Sequence, residues 1–161
     1  MMKKFTLNLK ICLWVLSCLI FMAFKVQSFL DEELAYLQKR LVELYDHSAE
    51  NQEVARYELN VTNSGFCRYK RFFSNGKVEY FSFNLMKFKG LDYAETDTTG
   101  RLFFLTRGED VIVQTYNDKK DGDVDSMASF MVIPTKKIQP KDLSELSDRL
   151  IKMNGQLQVQ K

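Results

Sequence analysis

Asp121-Gly122-Asp123-Val124-Asp125 sets three carboxylates two residues apart, the spacing with which a calcium loop turns oxygens toward one ion. With Asp118 nearby, the aspartates Asp118, Asp121, Asp123 and Asp125 form the chain's candidate metal set. The match to a calcium loop of the EF-hand type stops there. Ser126 stands where the sharp-turn glycine belongs, and Val132 where the bidentate Glu belongs. The competing expectation is a solvated hairpin tip whose charges keep a sheet edge from pairing with a neighbour.

Other chemistry is scarce. His47 is the single histidine, so any Ser-His-Asp or Cys-His set would have to use it. Its place near the end of a helical pattern instead predicts a capping role toward the last carbonyls. Cys67 sits in a strand pattern that suits a small buried side chain. A zinc site needs three or four Cys or His ligands, more than these residues supply. Neither GxGxxG nor GxxxxGK[ST] occurs, so no phosphate loop is expected. No two acids are placed by spacing alone across a cleft. The sequence therefore predicts a protein that is not an enzyme and needs no cofactor.

Charge distribution is more informative. Between residues 66 and 89, Arg68, Lys70, Arg71, Lys77, Lys87 and Lys89 face a single acid, Glu79. Phe66, Tyr69, Phe72, Phe73, Tyr80, Phe81 and Phe83 interleave with them. From Asp92 to Asp125 the balance reverses, with nine acids against Arg101, Arg107, Lys119 and Lys120. The six cations are the candidate partner-binding residues. They fit an anionic surface, or a partner protein of complementary charge, better than nucleic acid. Strand alternation does not place all six on one face, because Arg71 shares a side with Cys67, Tyr69 and Phe73.

The elements that position these residues follow from periodicity. Leu30, Leu34, Leu37, Leu41 and Leu44 recur at steps of four and three, which predicts an amphipathic helix over residues 30–48. Alternation then predicts a strand from Ala55 to Val61. Asn75-Gly76 between two aromatic runs predicts a hairpin joining Phe66–Phe73 to Val78–Leu85. Further strands are expected at 91–96, 101–106, 111–116 and 129–133, with Asp118 to Asp123 as a turn. Pro134 should end the last strand, and Pro140 should open a helix with Leu143, Leu146, Leu150 and Met153 on one face. Gly155 should stop that helix, leaving 156–161 as a frayed tail.

Every inter-strand gap is too short for a helical crossover, so the sheet should be antiparallel. The expected fold is α+β: a single antiparallel meander sheet, or partly open barrel, of about seven strands between an N-terminal and a C-terminal helix. The strand count and final helix resemble a pleckstrin-homology-like barrel, a resemblance that implies fold and no ligand residue. The alternative is an open curved sheet wrapped on the N-terminal helix, similar to lipoprotein-carrier folds.

The first 28 residues carry four Lys and no acid. An apolar run from Ile11 to Phe24 makes a helix of about 21 Å at ~1.5 Å per residue, short of a ~30 Å hydrocarbon core. That length suits a signal peptide cleaved after Ser28, the alternative being an uncleaved membrane anchor. Removing residues 1–28 leaves 19 basic and 21 acidic residues and Cys67 as the single cysteine. The expectation is one α+β domain over 29–155, periplasmic or secreted, or held outside the cytoplasm on the membrane if 11–24 are retained. Its function would be binding or structural. The readings, in order, are contact with a partner or anionic surface through the basic-aromatic hairpin, a membrane-tethered subunit of an envelope assembly, and a carrier or sensor of an apolar ligand.

Overall fold

The computed structural model describes residues 30–50 and 53–159, together with Trp14 and Ser17. The chain divides into two compact units, Met1–Glu32 and Glu33–Lys161. In the first, Trp14 and Ser17 are helical and residues 30–32 open helix α1. The rest of the apolar run Ile11 to Phe24, and the cleavage position after Ser28, lie outside the described residues. No helix among the described residues is long and apolar enough to cross a membrane.

The second unit is α+β. Helix α1 (residues 30–44, shared across the boundary) precedes eight strands, and helix α2 (Pro140–Val159) follows them. The strands are β1 (Val54–Val61), β2 (Phe66–Phe73), β3 (Val78–Asn84), β4 (Phe88–Glu95), β5 (Gly100–Thr106), β6 (Val111–Tyr116), β7 (Val124–Ala128) and β8 (Phe130–Thr135). All pairings are antiparallel, as the short gaps require. They form two sheets, of order β1-β2-β3-β6-β7 and β4-β5-β8, and no closed barrel among the described residues. Two corners divide one expected sheet into two. At the first, a 3-10 turn over Leu85–Lys87 carries the chain from β3 to β4. At the second, Ser129 separates β7 from β8, and its carbonyl accepts from both the amide and the hydroxyl of Thr106 at 2.9 Å.

The Asn75-Gly76 hairpin forms as expected. Phe73 and Lys77 close it, and Gly76 takes φ 89°. Asn75 keeps a negative φ and instead accepts the Lys77 amide on its side chain at 2.9 Å. Strand β7 was not expected, because the aspartates on its flank masked Val124 and Met127. Pro134 does not end the last strand: β8 runs through it to Thr135. The missing N–H costs nothing on an edge strand, and the Pro134 carbonyl accepts from the Asp46 amide at 3.2 Å.

Helix α1 stops at residue 44 rather than 48. Tyr45 leaves it to bridge Thr135, and the Lys136 amide donates to the Leu44 carbonyl at 2.8 Å. The edge of β8 is thereby covered. The edge of β1 is covered by α1 itself. The Gln38 amide donates to the Leu59 carbonyl at 2.8 Å and accepts from the Val61 amide at 2.6 Å, standing in for a missing strand.

Helix α2 begins at Pro140 as expected but continues through Gly155 to Val159. Tertiary contacts carry it past the glycine. Leu157 is buried against Gly65, where a Cβ would meet its Cδ1 at 2.9 Å. Buried Asn154 donates to the Leu85 carbonyl at 2.6 Å and accepts from Gln158 at 2.8 Å. The residues read as a frayed tail are thus partly structural. Between α1 and α2, Arg40 pairs with Asp142 at 2.7 Å and Arg149 with Glu33 at 2.9 Å. The core gathers Leu34, Leu37 and Leu41 of α1, Leu146, Leu150 and Met153 of α2, and Tyr69, Phe83, Leu102, Phe104, Met131 and Ile133 of the sheets.

Asn154→Leu should lower stability by about 0.5–1.5 kcal/mol, since the Leu85 carbonyl, at the corner that separates the sheets, loses its side-chain donor and keeps only the Phe88 amide. A lower urea midpoint with an unchanged m-value would show this, and an unchanged midpoint would mean that the corner is held elsewhere.

Candidate functional site

Strand β2 determines what stands between the sheets. Its alternation sends Cys67, Tyr69, Arg71 and Phe73 to the inner side, the first three aligned with inner residues of β3: Cys67 with Phe83, Tyr69 with Phe81, Arg71 with Glu79. A guanidinium in that row needs carboxylates, and two arrive. Glu79 comes from the register itself and accepts from Arg71 Nη2. Glu50 comes from the end of the 3-10 turn His47–Ala49 and accepts from Arg71 Nη1 at 3.3 Å.

Glu50 is nearly enclosed, with 3% of its side chain exposed. Its Oε1 accepts from the Tyr45 hydroxyl at 2.8 Å and from the Tyr69 hydroxyl. Burial, and then the hydrogen bond to Glu50, push the Tyr45 phenol far above its ordinary range. Tyr45 is thereby held as a protonated donor to Glu50. The charges alternate outward from here. Lys77 pairs with Glu79 at 2.9 Å and with Asp118 at 3.6 Å. The hydrogen bond to Glu79 raises the Lys77 pKa, while the amides of Lys120 and Asp121 lower that of Asp118.

Beside this network lies an open-sided cavity of about 640 Å³. Glu50, Ala49 and Arg71 form one wall, with Phe81 of β3 and Val113 of β6. Ser126, Ala128, Phe130, Val132 and Pro134 form another. These five are alternate residues along 124–135, so one face of a strand that changes sheets at Ser129 supplies the whole wall. Arg101, from β5 opposite Pro134, completes the lining. Just before it, Gly100 admits the Tyr93 ring, whose hydroxyl would lie 2.5 Å from any Cβ there.

The six cations expected to act together are distributed. Arg68 and Lys70 lie on the outer face of β2, over the rings of Phe66 and Phe72. Arg71 points inward. Lys77 is paired as above, Lys87 pairs with Asp110 at 3.1 Å, and Lys89 is exposed on β4. Among the described residues no three His, Cys, Asp or Glu side chains are grouped to hold a metal. Two of the four aspartates accept hydrogen bonds within the loop. Asp118 accepts from the amides of Lys120 and Asp121, Asp123 accepts from the Asn117 amide at 2.6 Å, and Asp125 aligns with Gln114 in the sheet. His47 lies in the 3-10 turn, its ring 5.9 Å from that of Tyr57. Cys67 is fully buried, and burial pushes its thiol up to about 12.

Sequence reasoning missed Glu50, Arg101 and the apolar wall. An inward Arg71 calls for a buried acid, but nothing local singled out Glu50 among the loop acids. Arg101 carried no such signal. No family model, curated protein or solved structure matches the chain.

Arg71→Met should cost about 3–5 kcal/mol by leaving the enclosed Glu50 without its cation, while Glu79 keeps Lys77. Adding Glu50→Gln should recover part of that loss, and additive losses in the double-mutant cycle would refute the coupling. The Cys67 thiol remains protonated in the fold well past its ordinary value of 9.0. The unfolded chain then binds fewer protons between about pH 9 and 12, so stability falls as pH rises through that window. Cys67→Ala should flatten this decline in urea titrations against pH, and an identical slope would exclude the thiol as its source.

Proposed function

We propose that the second unit is a non-catalytic binding domain that takes a small molecule into the cleft between its sheets. The carrier reading of the sequence is thus placed ahead of contact through the basic hairpin. The leader at Ile11 to Phe24 supports display outside the cytoplasm.

The observation that carries this reading is the make-up of the cleft. A volume of about 640 Å³ falls within the range of small-molecule sites. Seven of its eleven lining residues are apolar, and the four polar ones, Glu50, Arg71, Arg101 and Ser126, are few enough to orient a ligand rather than bind solvent alone. Two of these four are held in a hydrogen-bonded network, which fixes the wall before a ligand arrives. By contrast, Arg71, Lys77 and Lys87 spend their charge on partners within the chain.

Titration with the neutral fluorophore N-phenyl-1-naphthylamine tests the reading. One saturable site with blue-shifted emission is expected. Ala128→Trp and Ser126→Phe, which fill the wall from two positions, should each abolish it while the far-ultraviolet dichroism is kept. Undiminished binding in both folded variants, or no saturable binding to the parent chain, would overturn the proposal.

A further inference from the structure

The charged groups lining the cleft differ in how much of their capacity is already used. Glu50 is occupied on both oxygens, by two tyrosine hydroxyls on Oε1 and by Arg71 on Oε2. Arg71 has its two terminal nitrogens on Glu50 and Glu79. Arg101 has no hydrogen-bond or ion-pair partner among the described residues and stands exposed at the mouth. The cleft therefore presents one uncommitted guanidinium beside an apolar wall.

We propose, on the reading that the cleft is the ligand site, that the ligand is a short-chain monocarboxylate. Its carboxylate lies on Arg101, and its apolar chain runs across the cleft toward Phe81 and Val113. A planar guanidinium offers two parallel N–H donors that match a carboxylate. A primary amine finds no acceptor to match, since Glu50 is saturated. A phosphate dianion is disfavoured as well, because Arg101 alone neutralises one of its two charges while Arg71 is committed to Glu50 and Glu79. The apolar side needs no further polar group, since Phe81, Val113, Phe130 and Val132 present only carbon.

Calorimetric titration of the full chain with octanoate, 1-octanol, octylamine and octyl phosphate separates these possibilities. Octanoate should bind about tenfold or more tightly than octanol, the worth of one charge-assisted pair. Octylamine and octyl phosphate should bind no better than the alcohol. Arg101→Gln, an exposed substitution that leaves the core untouched, should bring octanoate down to the affinity of octanol without weakening octanol. Equal affinities for acid and alcohol in the parent, a preference that survives Arg101→Gln, or a stronger response to octyl phosphate would each overturn the carboxylate assignment while leaving the cleft as the site. If neither octanoate nor octanol binds, the reading of the cleft falls, and this inference with it.

Discussion

Arg71 is the group that the neighbouring structure must accommodate. It sits on the inner row of β2 between Tyr69 and Phe73, with its guanidinium near the rings of Tyr69, Phe73 and Phe81. A charge in that position is tolerated only with carboxylates and hydrogen bonds around it. Glu79 is supplied by the hairpin register, which places it directly opposite. Glu50 must be brought from before β1, and the 3-10 turn at His47–Ala49 does this. Tyr45 and Tyr69 then satisfy the second oxygen of Glu50, and their hydroxyls lie 3.3 Å apart. Four side chains from three segments are fixed by the need to neutralise one cation.

The same segment closes the smaller sheet. Tyr45 bridges Thr135 through its backbone and reaches Glu50 through its hydroxyl. Residues 44–50 are therefore both the cover of the β8 edge and one wall of the cleft. On the other side, residues 124–135 cross from one sheet to the other with only Ser129 between the strands. Their alternate residues keep one face toward the cavity throughout. Aligned packing of two complete sheets would have filled that space with side chains from both. Here the lining side chains of residues 126 and 128 are Ser and Ala, too small to fill it.

Much of this fold could be read from local signals. The leucine spacing of α1, the alternation of β1 and the Asn75-Gly76 turn each rest on neighbours in sequence, and each appears where local chemistry puts it. The errors lie where distant contacts override local preference. Gly155 would end an isolated helix, but Leu157 and Gln158 have partners near Gly65 and Met86. Residues 45–48 continue a helical pattern, but the β8 edge captures Tyr45. Pro134 reads as a terminator only if its strand is central. Division into two sheets was not legible, because the corners at Leu85–Lys87 and Ser129 depend on Asn154 and Thr106, which are remote in sequence. In the site, the inward position of Arg71 was legible and its partner Glu50 was not, since a loop acid looks the same whether it is solvated or buried.

The distribution of cations also bears on how the two faces of the five-stranded sheet differ. Arg68 and Lys70 lie over Phe66 and Phe72 on the outer face, where water screens them and holds their energetic weight low. Arg71, one residue beyond Lys70, meets the opposite environment, because a step of one residue in a strand exchanges faces. Three adjacent positions, Tyr69, Lys70 and Arg71, thus alternate between core, outer face and cleft wall. A stretch that looks like one basic-aromatic cluster in the sequence is divided by the pleat into a screened outer surface and a neutralised inner network. The number of cations in the stretch therefore says less than which cation is left without a carboxylate. Among the described residues of the cleft that cation is Arg101, on the other sheet and outside the cluster altogether.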